Sequence, residues 1–353
     1  MNQINKTKIK QFIQRVAQNI GQFTNVKKLS KGSKPSHNSG RITYFIFFLA
    51  FSAVVFFGVK RYFDFIDYKI AQYQNISSHI ASEYEGVLNY SQLLLNSVNQ
   101  EILKSKSFGT EAVKILSSIN RIRNQNNVAN QIFYESMLYW IDSNKYLIAS
   151  SAGRVLKPID LSSRDYLEKT QIDPWKIKVG KVIIGALSGN NVLPVAVGVV
   201  GDNGYHLGTA VISIKLENLI DKFTLSIHDI EVGEYAIIDA DGAIILESRH
   251  KSFSKNKMLL NNVSNYKFVN NYALIKPFNI LRRSGNVVVA SKVLEYPFTV
   301  IYKVNNYKIY QELFMEILPY LVQILFLLML LASYMSKSRP NYRGNNNAFK
   351  KYY

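Results

Sequence analysis

The chain has 353 residues, of which 48% are hydrophobic and 13% aromatic, so it contains enough apolar material for two or three folded domains. Its 43 lysines and arginines exceed its 24 aspartates and glutamates, which gives a formal net charge of +19. It has no cysteine, which excludes disulfides, thiol nucleophiles, zinc–thiolate sites and iron–sulfur clusters.

Most of the excess positive charge lies at the two ends of the chain. Residues 1–41 hold nine basic residues and residues 336–353 hold five, and neither segment holds an acidic residue. A nucleic-acid-binding domain would instead carry such charge on its folded surface. The pattern predicts two basic tails that lie in solvent or against anionic lipid headgroups, and it predicts no nucleic-acid partner.

Two uncharged apolar segments predict membrane spans, one of eighteen residues at 42–59 and one of nineteen at 317–335, within a second helix of residues 312–335. At about 1.5 Å per residue, each nearly crosses a hydrocarbon layer about 30 Å thick. A cleaved signal peptide is the alternative for the first, but 41 residues precede it and no small-residue cleavage site follows. Because basic residues stay on the cytoplasmic side, we expect both termini in the cytoplasm and the intervening region outside it.

Residues 60–107 predict a long stalk helix after the first span. Apolar residues recur at three- and four-residue steps from Ile66 to Ile102, and no proline interrupts them. A helix of this length would run about 60 Å, which is longer than one globule needs. Its narrow apolar stripe suits packing against its own domain or against a second copy, so a homodimer through the stalk stays open.

Residues 108–225 predict a membrane-distal unit that mixes helices and strands. Thr110 begins a helix that ends in the polar run at residues 124–127, and a short helix is expected over residues 162–168. Five strands are predicted over residues 133–141, 146–150, 181–186, 192–200 and 206–214, followed by a helix over residues 216–223.

Residues 226–311 predict a smaller, membrane-proximal unit of the same kind. A hairpin is expected over residues 234–239 and 243–248, and three further strands over residues 272–277, 286–293 and 297–304. The fold class predicted is therefore α+β, with two tandem five-stranded antiparallel units between two transmembrane helices.

The order of these elements, together with residues 140–151, 160–166, 184–189 and 202–208, resembles the double Cache (PAS-like) sensor domain of bacterial transmembrane receptors. The resemblance covers residues 62–311. It implies a periplasmic domain, anchored in the inner membrane, that binds a small molecule in the distal unit beneath the helix of Arg164 and Tyr166. Such receptors continue into an output domain, whereas eighteen residues follow Met335 here, so a separate kinase or cyclase partner is expected.

Six residues are candidates for ligand binding on the strength of this resemblance: Arg164, Tyr166, Ser150, Ser151, Trp175 and Lys178. The guanidinium of Arg164 offers five donors that suit a carboxylate, so the expected ligand is anionic. Each residue also has a structural alternative. Arg164 has Asp160 and Asp165 as possible ion-pair partners, Tyr166 suits a core position, the serines suit a strand end and the other two suit a packed loop.

The sequence predicts no enzyme and no cofactor. Its five histidines show no metal-ligand spacing, and it contains no nucleophile elbow or phosphate-binding loop. The predicted function is a membrane-anchored extracytoplasmic sensor that binds a small anionic molecule and relays its state to a separate partner. The alternative is a non-signalling envelope protein that uses the same scaffold for binding or anchoring, including a receptor truncated before its output domain.

Overall fold

The computed structural model describes residues 37–105, 110–126, 131–133, 135–227, 233–249, 253, 268–269, 271–277 and 285–338. Both predicted basic tails lie outside the described residues except at their inner ends. The chain divides into two compact units, one of residues 1–61 with 316–353 and one of residues 62–315. The described residues form five α-helices: α1 (His37–Ser105), α2 (Thr110–Asn126), α3 (Asp165–Ile172), α4 (Leu216–Ile227) and α5 (Asn306–Ser338).

The first unit consists of the apolar parts of α1 and α5. Their most apolar 18-residue windows have mean hydropathies of 2.4 and 2.2, and 0% and 6% of those windows are buried. Both helices therefore have the length and composition of a membrane span. They pack side by side, because Nε and Nη2 of Arg61 donate to the Glu316 carboxylate at 3.0 and 2.8 Å and Gly58 lies against Tyr320.

The predicted first span and stalk form one helix rather than two elements. α1 runs for 69 residues without a break, since no proline or glycine pair interrupts its backbone hydrogen bonds. In the second unit its apolar stripe is buried by the chain itself: Tyr73 packs on Tyr302, Tyr84 on Phe298, and the Ser77 hydroxyl donates to the Val300 carbonyl. A homodimer through the stalk stays a prediction, and it would have to use another face of α1, such as that of Leu93, which is 68% exposed.

The second unit contains two antiparallel sheets. The larger has the strand order β3-β2-β1-β7-β6-β4, with β5 also paired to β6; its strands are β1 (Met137–Asp142), β2 (Tyr146–Ser150), β3 (Gly153–Asp160), β4 (Lys178–Val179), β5 (Ile183–Ile184), β6 (Asn191–Val200) and β7 (His206–Lys215). The smaller has the order β10-β11-β12-β8-β9, with β8 (Glu234–Ile238), β9 (Ile244–Glu247), β10 (Tyr272–Lys276), β11 (Asn286–Lys292) and β12 (Thr299–Asn305).

The prediction of two five-stranded units is wrong for the larger sheet, which has seven strands. The edge strand β3 was not predicted, because it contains Pro158 and exposes 93% of Leu156, and prolines and exposed apolar residues weaken the strand pattern. The two-residue strand β4 was not predicted either. The strand expected over residues 181–186 is only Ile183–Ile184, since the chain then turns so that the Gly185 N–H donates to the Asn190 carbonyl.

Candidate ligand-binding site

Helix α3 covers one face of the larger sheet and carries the predicted site residues at its start. The helix begins at Asp165, with Arg164 as an extended N-cap whose side chain makes no capping hydrogen bond. This corrects the expected start at Ser162, which instead donates its N–H to the Asp160 carboxylate at 2.8 Å. Asp165 and Glu168 lie in the first turn, where carboxylates are favoured by the positive end of the helix dipole.

The sheet face beneath α3 is a packed apolar layer. Tyr166 and Leu167 of the helix meet Tyr139 and Ile141 of β1 and Val211 of β7, and all five side chains are buried. The cross-strand register places Tyr139 opposite Val211, so these side chains share one face of the sheet. Gly180 borders the same layer, because a Cβ at that position would lie 2.6 Å from Cδ1 of Tyr166.

Arg164 and Tyr166 lie close enough to influence each other electrically. Burial raises the pKa of Tyr166 to about 12, and the positive charge of Arg164 opposes that rise. Burial also raises the pKa of Tyr139, although a hydrogen bond with Ser213 lowers it in part. Both phenols are therefore neutral at physiological pH and act as hydrogen-bond donors or acceptors. Arg164 is half-exposed at the edge of the sheet face that α3 covers, and this edge is called the rim below. There its Nη2 donates to the Ile184 carbonyl at 3.5 Å.

The other four predicted residues are not brought to this rim. The Ser150 hydroxyl donates to the Gly153 carbonyl, and the Ser151 hydroxyl accepts the Leu138 N–H, so both hold the turn between β2 and β3. Trp175 is 72% exposed. Lys178 pairs with Asp173 at 3.1 Å. Their role in ligand binding stays a prediction.

Lys178 also lines a separate cavity of about 470 Å³. Its walls come from the segment around α3 and β4 on one side and from the turns after β8 and β11 on the other, with Gln92 of α1 between them. This cavity gives no local signal in the sequence, since its two walls are more than fifty residues apart in the chain.

Among the residues that the structure describes, no group of three or more histidines, aspartates or glutamates is arranged to hold a metal ion.

Comparison with known proteins supports the fold. No protein-family model matches the chain, and no curated protein matches it. Among solved structures, the extracellular domain of rpHK1S-Z16, described as a histidine kinase, has a TM-score of 0.50 at 13% identity and aligns over 66% of this chain and 92% of its own.

Two chemoreceptor domains also align with the chain. The ligand-binding domain of Campylobacter jejuni Tlp3 in complex with L-norvaline has a TM-score of 0.44 at 16% identity, over 68% of this chain and 92% of its own. That of Pseudomonas fluorescens CtaA in complex with L-isoleucine has a TM-score of 0.47 at 14% identity, over 70% and 95%.

The predicted α+β fold class is confirmed, since over about two thirds of its length the chain shares the fold of the rpHK1S-Z16 extracellular domain.

Proposed function

We propose that the protein is a membrane-anchored extracytoplasmic sensor that binds a small anionic molecule at the rim beside the start of α3 and relays its state across the membrane to a partner protein. The observation that carries this proposal is the position of Arg164, a half-exposed cation at the rim of a sheet face where Tyr139 and Tyr166 hold neutral hydroxyls.

The chemistry of this rim favours an anion. A guanidinium presents fixed donors in a plane, which matches a carboxylate or phosphate better than a neutral group. The Tyr139 hydroxyl donates to the Met137 sulfur, and both nearby phenols remain protonated, so they add no negative charge beside Arg164. The surrounding side chains are apolar, which strengthens an ion pair at the rim relative to one in open water.

The arrangement of the chain favours a relay. α1 is one continuous helix that contributes to both compact units, and α5 begins directly after β12 of the smaller sheet. A ligand that binds one conformation of the sensor better than another shifts the population by its differential affinity. The change then reaches the membrane through two covalently continuous helices.

The binding part is tested with the full chain in lipid nanodiscs, screened by calorimetry against small carboxylates, phosphates, L-amino acids and neutral sugars. For an anionic ligand, Arg164→Gln is expected to weaken binding about tenfold, or about 1.4 kcal/mol. This lies at the low end for a charged hydrogen bond, because Arg164 is only partly buried. Arg154→Gln is the matched control, since Arg154 is exposed and pairs with Ala149 on β2. Equal binding by Arg164→Gln and the parent would remove Arg164 from the site.

The relay part is tested by disulfide cross-linking. Because the parent has no cysteine, only the introduced pair can form a disulfide. A Cβ at position 58 would lie 3.6 Å from the Tyr320 Cβ, within the usual range of about 3.5–4.5 Å for a disulfide. The Gly58→Cys, Tyr320→Cys double variant should cross-link in membranes, and ligand should change the rate. Adding Arg164→Gln should remove that ligand effect at the same ligand concentration. Confirmed binding with no change in rate would instead favour the non-signalling envelope protein.

A further inference from the structure

The cavity between the two sheets has walls of opposite charge. Its volume of about 470 Å³ lies within the range of about 300–1,000 Å³ that is usual for small-molecule sites. One wall carries lysines that follow or belong to α3, and the other carries carboxylates that follow β8 and β11. Several of the side chains on both walls are exposed, so the cavity is an open cleft that a solute can enter.

The basic wall retains part of its positive charge. Lys169 pairs with Asp165 at 3.5 Å. Lys176 and Lys178 share the single carboxylate of Asp173, at 3.8 and 3.1 Å. One carboxylate therefore serves two ammonium groups, and this wall has one positive charge in excess.

The negative charge of the acidic wall is less compensated than the positive charge of the basic wall. It holds Asp239, Asp241 and Glu295, none of which forms an ion pair within the described part of the chain. The Asp239 carboxylate accepts the N–H groups of Asp241 and Ala243 at 3.0 and 2.8 Å, which orders the turn but leaves its charge in place. Tyr296 lies beside these carboxylates and donates its hydroxyl to Asn89 of α1 at 2.6 Å.

We propose that this cleft is a second ligand site, which takes a small linear zwitterion such as a short peptide with free ends. Its ammonium group would lie toward Asp241 and Glu295, and its carboxylate toward Lys176 and Lys178. An extended peptide advances about 3.3–3.6 Å per residue, so a tripeptide separates its end charges by about 10 Å.

The two walls make unequal contributions to this binding. The ammonium group would lie toward two carboxylates, Asp241 and Glu295, that lack a partner cation in the described chain, whereas the carboxylate would lie toward lysines that already share Asp173. Blocking the amino end of the peptide should therefore cost more affinity than blocking its carboxyl end.

The test is calorimetry of the full chain in nanodiscs with triglycine and trialanine, each also N-acetylated and C-amidated. Free triglycine or trialanine is expected to bind. N-acetylation should weaken binding about tenfold or more, equivalent to about 1.4 kcal/mol, and amidation about threefold.

Substitutions at two exposed residues, one on each wall, test which end of the peptide each wall binds. Asp241→Asn should weaken the free and amidated peptides but not the acetylated one, and Lys176→Gln should weaken the free and acetylated peptides but not the amidated one. Asp202→Asn and Lys157→Gln are matched controls at exposed positions outside the cavity and should change nothing. Arg164→Gln should also leave peptide binding unchanged, which separates this site from the rim of α3.

The proposal is overturned by any of three results. The first is that no peptide binds at millimolar concentration. The second is that the amidated peptide binds as tightly as the free one, which would leave the lysines without a role. The third is that the two variants weaken all peptides alike, which would indicate a general loss of charge or structure. Circular dichroism of each variant checks that its secondary structure matches the parent.

Discussion

The packing of Tyr166 on Gly180 allows the described contact between α3 and the larger sheet to be tested before any ligand is known. A Cβ at position 180 would lie 2.6 Å from Tyr166 Cδ1 and 2.8 Å from Pro194 Cγ, closer than side chains approach one another. Gly180 is not among the glycines with positive φ, so alanine causes no backbone strain there. The Gly180→Ala substitution must therefore displace the Tyr166 ring, the Pro194 ring or both.

Such overpacking of a filled core costs about 1–3 kcal/mol. With a urea dependence of about 1–3 kcal/mol per molar, the unfolding midpoint should fall by about 1 M. Tryptophan fluorescence measures this directly in the full chain. Trp140 of β1 is fully buried and Trp175 is already 72% exposed, so the change in emission on unfolding comes mainly from the larger sheet.

A double-mutant cycle identifies which ring is responsible. In a Tyr166→Leu background the ring is gone, and Gly180→Ala should cost markedly less, although the contact with Pro194 remains. In a Tyr166→Phe background the ring is kept, and the cost should be unchanged.

Gly198→Ala is the matched control for this cycle. Its Cβ would lie 2.6 Å from the Pro174 Cβ and 2.8 Å from the Thr170 carbonyl oxygen, so its cost should not depend on Tyr166. If Gly180→Ala costs the same with leucine as with tyrosine at position 166, the ring does not lie on Gly180, and the description of the site is wrong.

Two further predictions concern orientation and pH. Reporter fusions at Asn203 and at Tyr353 should report opposite compartments, because the basic tails are expected to stay in the cytoplasm; a cytoplasmic signal at Asn203 would contradict the sensor proposal. Burial lowers the pKa of His206 below its ordinary 6.5, so the unfolded chain takes up this proton first and stability should fall as the pH drops below 6.5. His206→Gln should flatten this part of a stability profile measured by urea unfolding, and an unchanged slope would show that His206 is not its source.

The strands that the sequence predicts well are those with a strong local signal. β6 and β7 lie within a residue of their predicted bounds, since a continuous apolar run and the turn at residues 201–204 determine both ends. α2 begins at Thr110 as predicted, with Glu111 in its first turn. β3 was missed because its burial alternates only weakly along an exposed sheet edge. Its pairing with β2 decides that it is a strand, and pairing is not visible in the local sequence.

Arg164 and Tyr166 were predicted as binding residues from the resemblance, and their role in binding stays a prediction. Tyr139, which packs against Tyr166, was not singled out, because an aromatic residue on a strand usually indicates a core position. Only the register of β1 against β7, which pairs Tyr139 with Val211, brings Tyr139 within hydrogen-bond reach of Ser213 and into contact with Tyr166. A turn aspartate such as Asp241 gives no signal of its own, since its importance depends on lysines that lie across the cleft.

Helix α3 links the two proposed sites. Arg164 and Tyr166 lie at its start, over the larger sheet, while Lys169 near its end lines the cleft. The helix has eight residues and is about 12 Å long. A ligand at the rim beside its first turn and a ligand in the cleft would therefore contact the same element. If either prefers one position of α3, each must change the affinity of the other by the same factor, because coupling between two binding equilibria is reciprocal. The size of that factor is limited by how differently each ligand binds the two positions, and the proposed relay to the membrane is limited in the same way.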